Sequence, residues 1–334
     1  MSQFGQSYPI TFVQEKMTTK KMLTVERIKR LKTKKNAVIL AHFYQSSEVQ
    51  EIADFVGDSL ALSQQAAITK ADIIVFAGVH FMAETAKIIN PGKKVLLPDL
   101  TAGCSLADSC PPHEFEAFIK QHPNHKVITY INSSAAVKAM SDIICTSSNA
   151  IAIVNSVPLS EKIIFAPDKQ LGKFVAKATG RDMVLWDGAC HVHTAFSLDK
   201  IAVLKQKYPN AQLIAHPESA ETILEMASYV GSTSNMINHI VKSEHQTFIV
   251  ATEIGILHKL RTMTPNKILV PAPISENNSC ACSECEYMKR NTLDKLLHCL
   301  EHETNTIEVN ETLRKRALIP IERMLHISSK AFYA

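Results

Sequence analysis

VILAHFYQ (38–45), VITYINSS (127–134) and LIAHPESA (213–220) are one pattern written three times. Each is an apolar run that closes on two polar residues separated by one position: His42 and Tyr44, Tyr130 and Asn132, His216 and Glu218. A hydroxyl residue follows the second member after the same 15 residues in every copy, at Ser59, Ser147 and Thr233. The first members of the pairs lie 88 and 86 residues apart. Repetition at a fixed period is a statement about architecture, because each copy must fold as the same unit.

The period extends beyond the pairs. A second apolar run occurs in each copy, IIVFAG from Ile73, IIFAPD from Ile163 and FIVATE from Phe248, and a third follows, KVLLPD from Lys94, MVLWDG from Met183 and KILVPA from Lys267. Segments with helical spacing, such as SLALSQQAAI after Ser59, separate them. Short continuous apolar runs alternating with helices read as buried parallel strands with right-handed crossovers. Each copy is thus a βαβαβ unit. The expected fold class is α/β: three repeated three-layer αβα domains with parallel sheets around a pseudo-threefold axis. The repeats span 18–106, 107–194 and 195–290, and the C-terminal helices over 291–334 are expected to pack on the first.

At 334 residues the chain suits two or three domains, and 46% hydrophobic content is enough to build their cores. A formal charge of +4 is too small to announce a nucleic-acid partner. The basic run KRLKTKK (29–35) reads as the solvated face of the first helix. No apolar stretch reaches the 18 residues of a membrane span, and the first twenty residues lack the apolar core of a signal peptide. A cytoplasmic location follows as the expectation, with the eight cysteines as thiols or metal ligands rather than disulfides. Neither a GxGxxG nor a Walker loop is present, so a nucleotide site of standard form is not supported.

Open parallel sheets bind ligands beyond the carboxyl ends of their strands, which is where all three polar pairs fall. Three such ends can form one central pocket if the domains face the axis. Ser59, Ser147 and Thr233 then lie near the starts of the following helices, where a hydroxyl can cap the helix or help to hold an anion. The cysteines follow the period too. Cys104 (TAGCSLAD), Cys190 (DGACHVH) and the group Cys280, Cys282 and Cys285 (CACSEC) come after the third strand of each copy. One thiol per domain could meet on the axis and hold a soft metal centre, and three ligands on a four-iron cluster would leave one iron open as a Lewis acid. Cys104 and Cys190 could otherwise be small buried hydrophobes, with Cys110, Cys145 and Cys299 outside the pattern. A rival is the zinc-finger spacing of Cys282, Cys285, His298 and His302. Lysines at 289 and 295 occupy the two positions of a finger's small core, and NTLDKLLHCLEHE reads instead as one amphipathic helix.

AHFYQSSEVQEIADFVGDS (41–59), TYINSSAAVKAMSDIICTSSNA (129–150), DGACHVH (187–193), HPES (216–219), YVGSTS (229–234), ATEIGILHKL (251–260) and CEYMKRNTL (285–293) together resemble the quinolinate synthases of bacterial NAD biosynthesis. The resemblance runs in order from about Asn36 to the C-terminus. It implies three α/β domains about a pseudo-threefold axis, and one 4Fe-4S cluster held by Cys104, Cys190 and Cys285 with one open iron. The implied reaction condenses iminoaspartate with dihydroxyacetone phosphate to quinolinate, with loss of phosphate and water. L-aspartate oxidase is then a candidate supplier of iminoaspartate, and neither nucleic acid nor membrane is an expected partner. Two carboxylates and a phosphate need several donors, for which His42, Ser59, Asn132, Ser147, His193, His216 and Thr233 are the candidates. Glu218 is the only carboxylate among the strand-end pairs, so it is assigned as general base or acid, with Tyr44 and Tyr130 as proton relays or oxyanion donors. A Cys282–Cys285 disulfide that releases the cluster is a further expectation. The readings from other classes are a zinc-binding α/β protein and a non-catalytic iron–sulfur redox sensor.

Overall fold

The computed structural model describes residues 19–275 and 283–332. Twelve strands form three separate four-stranded sheets. The first holds β1 (Ala37–His42), β2 (Phe55–Gly57), β3 (Ile73–Ala77) and β4 (Lys94–Leu96). In the second are β5 (His125–Tyr130), β6 (Ile143–Cys145), β7 (Lys162–Ala166) and β8 (Met183–Leu185), and in the third β9 (Gln212–Ala215), β10 (Tyr229–Val230), β11 (Thr247–Ala251) and β12 (Ile268–Pro271). Every pair is parallel, and the orders β2-β1-β3-β4, β6-β5-β7-β8 and β10-β9-β11-β12 are the same topology three times.

Each sheet has one strand more than the three apolar runs predict. β2, β6 and β10 are two or three residues long, too short to leave a periodic signal. Their position is set by hydrogen bonds instead. Asp54 at the entry to β2 accepts from the Ile39 amide at 2.7 Å, and Asp142 before β6 accepts from that of Val127 at 2.8 Å. The central strands β1, β3, β5, β7, β9 and β11 carry the buried apolar runs, with Leu40, Ile74, Ile128, Phe165, Ile214 and Phe248 among the enclosed side chains. Parallel strands buried on both faces need this unbroken Val/Ile/Leu/Phe character.

The chain leaves β1 for an edge strand on one side and returns to β3 on the other, so a crevice opens at the carboxyl ends of the two central strands of each sheet. Those three crevices face one another. The basic run lies on the outer helix Thr19–Lys34, where Lys29 and Lys32 pair with Glu26 and Asp54; Lys35 beyond it pairs with Glu303.

The helix Leu293–His302 packs on Thr19–Lys34 and β3 of the first layer. Residues 305–307 then cover the edge strand β4, with Leu97 N–H donating to the Asn305 carbonyl and Ile307 N–H to that of Val95. The last helix, Glu311–Phe332, departs from the expectation. It lies mainly over β6 and the helices Ala135–Lys138 and Ala150–Asn155 of the second layer, touching the first layer at His80–Ile89. Ala317, Ile321 and Met324 supply its apolar stripe, and Asn149 Nδ2 donates to Ser328 Oγ at 2.8 Å. The face of the first layer is already occupied by Leu293–His302, which leaves the second layer's face for this stripe.

At Gly255 the third layer passes close to the backbone of the first, since a Cβ there would sit 2.7 Å from the Tyr44 carbonyl carbon. Gly255→Ala is expected to cost about 1–3 kcal/mol in denaturant unfolding through overpacking against backbone. Gly92→Ala, where a Cβ meets nothing within 4 Å, is expected to be near neutral.

Candidate functional site

All thirteen residues singled out in the sequence line one cleft between the three layers: His42, Tyr44, Ser59, Cys104, Tyr130, Asn132, Ser147, Cys190, His193, His216, Glu218, Thr233 and Cys285. The strand-end pairs reach it because each first member closes or directly follows the central strand, and the second lies two residues on along the same crevice. Phe43, between His42 and Tyr44, turns into the core.

The repeat also dictates the histidine tautomers. The Tyr44 N–H donates to His42 Nδ1 at 3.2 Å, and the Glu218 N–H donates to His216 Nδ1 at 3.4 Å. A backbone amide can only donate, so each Nδ1 is the acceptor and each Nε2 carries the hydrogen. His216 Nε2 faces Ser147 Oγ at 3.3 Å. Both rings are buried, and burial pushes them down to about 4 for His42 and about 3 for His216, with Asp58 and Glu218 opposing. They are neutral N–H donors at neutral pH.

Glu218 is 2% exposed and is the centre of the polar network. Tyr130 of the second layer donates to its Oε1 at 2.5 Å, and His193 Nδ1 lies 3.0 Å from its Oε2. Burial opposes ionisation, but the hydrogen bonds from His193 and the Tyr130 hydroxyl outweigh it and hold the carboxyl well below its ordinary range. Burial, with the Glu218 charge, pushes the Tyr130 hydroxyl up. Tyr44 is also raised by burial, against its bonds to Thr233 and Thr252.

A chain of hydrogen bonds runs away from Glu218. His193 Nε2 meets Thr252 Oγ1 at 2.9 Å, Thr252 Oγ1 meets the Tyr44 hydroxyl at 2.7 Å, and that hydroxyl meets Thr233 Oγ1 at 3.0 Å. A carboxylate only accepts, so His193 donates to Glu218 from Nδ1, and its Nε2 continues the chain to Thr252 and Tyr44.

The three cysteines share one local geometry. Cys104, Cys190 and Cys285 are each the N-terminal cap of a one-turn helix, Ser105–Asp108, His191–Thr194 and Glu286–Lys289. Backbone N–H groups of the following turn lie near each sulfur, Leu106 and Ala107 at Cys104, His193 at Cys190, Tyr287 and Met288 at Cys285, without closing a capping bond. Burial nonetheless pushes the thiols up, Cys104 to about 12, Cys285 to about 11 and Cys190 well above its usual value, and each feels the charge of a neighbouring cysteine of the set or of a nearby carboxylate. Cys190, His193 and Glu218 also bring three metal-ligating atoms within 4.8 Å of one another. Cys110, Cys145 and Cys299 are buried packing residues. Cys280 and Cys282 lie outside the described residues. His298 and His302 stand on the exposed side of their helix, and they join no group of potential metal ligands among the described residues.

Ser59 and Thr233 begin their helices without capping them. Asp58 and Ser232, one residue earlier, accept the capping bonds from Ala61 and Asn235, which leaves the following hydroxyls free to face the cleft. Sequence reasoning missed these caps, and with them Thr252, Glu253 and Lys289. Thr252 and Glu253 directly follow β11; Thr252 is equivalent to Gly78 and Pro167, so the repeat carried no signal for it, whereas Glu253 is equivalent to Val79 and Asp168, an acid in two of the three copies. Glu253 is fully buried, accepts from the Gly255 and Cys285 amides, and pairs with Lys289 Nζ at 2.8 Å. Lys289 also donates to the Tyr44 carbonyl at 2.5 Å.

Residues 26–326 match the model of the family described as Quinolinate synthetase A protein. The quinolinate synthase of Microcystis aeruginosa is 59% identical over 301 residues, covering 90% of this chain and 94% of that protein. The quinolinate synthase of Chloroherpeton thalassium is 54% identical over 303 residues, 91% of this chain and 94% of that protein. No described helix is long and apolar enough to cross a membrane.

The two depressed histidines predict a direction for acid stability. Below the ordinary value of 6.5 the unfolded chain takes up protons that His42 and His216 refuse in the fold until about 4 and about 3. Stability therefore falls as pH drops from 6.5 towards 4, by up to about 1.4 kcal/mol per pH unit for each group. Denaturation midpoints measured between pH 7 and 4.5 should fall less steeply in His42→Gln than in the unaltered chain.

Proposed function

The chain belongs to the quinolinate synthase family, and from that premise we propose that it is a quinolinate synthase of NAD biosynthesis, condensing iminoaspartate with dihydroxyacetone phosphate to quinolinate with loss of phosphate and water. The observation that carries this reading is the meeting of a buried, doubly hydrogen-bonded carboxylate, Glu218, with one helix-capping cysteine from each repeat in a single cleft.

Three soft donors, each at the start of a one-turn helix and all lining one cleft, fit an iron–sulfur cluster, which thiolates hold. Cys104, Cys190 and Cys285 would hold one 4Fe-4S cluster. When bound, its fourth iron, which no cysteine holds, supplies Lewis acidity for the departure of hydroxyl groups. Metal binding would deprotonate the thiols that burial otherwise keeps neutral.

The chain's own residues supply recognition and proton transfer. His42 and His216 offer neutral Nε2–H donors to the carboxylates and phosphate of the substrates, joined by Ser59, Ser147 and the Asn132 amide. Asn132 Oδ1 is buried with no hydrogen-bond partner among the described residues, as suits a group reserved for a ligand. Glu218 acts as general base and, once protonated, as general acid. The His193 Nδ1–H can pass a proton to Glu218, with the Thr252 and Tyr44 hydroxyls behind it on the same chain, while the Tyr130 O–H steadies the carboxylate from the opposite side. L-aspartate oxidase fits as the source of unstable iminoaspartate.

Glu218→Gln should keep the iron and sulfide content and the visible spectrum of the anaerobically purified protein, while quinolinate formation drops by at least about 100-fold. Retained activity would remove Glu218 from its role. In the same preparations, Cys104→Ser, Cys190→Ser and Cys285→Ser should each lose iron, and Cys110→Ser should not. One zinc and no visible absorbance in the unaltered protein would instead favour the zinc-binding reading.

A further inference from the structure

Lys138 ends the short helix Ala135–Lys138 in the second layer and is fully buried. Among the described residues no carboxylate lies within 4.0 Å of its ammonium. Its hydrogen bonds go to two carbonyls, that of Ile131 at 2.8 Å and that of Ser133. The ammonium also stands over the ring of Phe81, 5.4 Å from the centroid. A buried cation bonded only to neutral groups is costly, and without a compensating negative charge it tends to lose its proton. Burial accordingly pushes Lys138 down to about 8, and the two groups that oppose this are Glu84 and the Cys104 sulfur.

Two features of this position concern the cleft. Ile131 and Ser133 flank Asn132, so one ammonium holds both carbonyls that bracket the residue with the unpartnered Oδ1. Phe81 lines the cleft, so the charge stands one aromatic ring behind its wall, on the Cys104 side. A site that gathers three thiolates and Glu218, and receives anionic substrates, accumulates negative charge. A cation fixed behind the wall offsets it without occupying substrate space.

We propose that Lys138 is a positioning residue for this site, a fixed counter-charge to the cluster on its Cys104 side and the brace that sets Asn132. The inference rests on the iron–sulfur reading of the three cysteines. A nearby positive charge stabilises the reduced, more negative form of a cluster, so its removal should make the cluster harder to reduce.

The test compares the unaltered chain, Lys138→Met and Lys138→Arg, purified anaerobically, by iron and sulfide content and by the midpoint potential of the cluster. Lys138→Met should shift the potential to more negative values and raise KM for the anionic substrates more than it lowers kcat. Lys138→Arg, which keeps the charge, should restore the potential. Loss of iron from folded Lys138→Met that Lys138→Arg restores would equally support the counter-charge. Equal potentials in the unaltered chain and Lys138→Met, or the same shift in both variants, would overturn the proposal while leaving the cluster in place. An unaltered chain with no iron or sulfide would remove the cluster reading and this proposal together. If Lys138→Met yields no folded protein, Lys138→Gln, which is neutral yet can still donate to the two carbonyls, is read instead, and an unchanged potential there refutes the idea.

Discussion

Ser148 Oγ lies 2.6 Å from Asp58 Oδ2 and 2.9 Å from Ser232 Oγ, so one residue from each layer meets at a single point. A hydroxyl has one hydrogen, and the carboxylate can only accept. Ser148 therefore donates to Asp58, and Ser232 must donate to Ser148. This junction stands at the floor of the cleft, beside the starts of the helices that carry Ser59 and Thr233. It requires the carboxyl ends of three parallel sheets to face inward at one register. Away from bulk water a missing partner costs about 1–3 kcal/mol, so the layers have little freedom to slide past one another.

From that constraint the chemistry of the cleft follows by breaking the threefold equivalence. The first positions of the pairs carry His42, Tyr130 and His216, and the second carry Tyr44, Asn132 and Glu218. Identical backbone geometry thus presents two neutral imidazoles, two phenols, one amide and one carboxylate. The bonds that matter cross between layers: Tyr130 to Glu218 joins the second and third, and Tyr44 to Thr233 and Thr252 joins the first and third. Glu253 and Lys289 brace the turn of Cys285 against the backbone of Tyr44, which ties one of the three thiols to the proton chain. Each layer contributes one sulfur, and no layer contains a working site alone.

The periphery shows how the core's demand for cover distributes the C-terminal chain. Leu293–His302 seals the outer face of the first layer and residues 305–307 shield the edge strand β4. An open parallel edge would otherwise offer unpaired amides to another chain. Glu311–Phe332 seals the second layer, where Arg323 reaches the Asp142 carbonyl at 2.7 Å and Arg316 that of Ala139 at 3.4 Å.

Much of this was legible in the sequence because repetition compensates for weak local signals. The 15-residue intervals located the strand ends, and the period of the cysteines pointed to Cys104, Cys190 and the group Cys280, Cys282 and Cys285, among which the family resemblance selected Cys285. The short edge strands were invisible, since two or three residues carry no period, and the last helix was assigned to the wrong layer because an apolar stripe does not name the surface it covers. Thr252, Glu253 and Lys289 acquire meaning from neighbours dozens to hundreds of residues away, and Lys138, bonded to nearby Ile131 and Ser133, from its burial behind Phe81. Local sequence determined which residues end a strand or cap a helix, because those are matters of backbone period and nearby hydrogen bonds. Only the tertiary structure decided which charges face each other, because electrostatics and burial depend on distance in space.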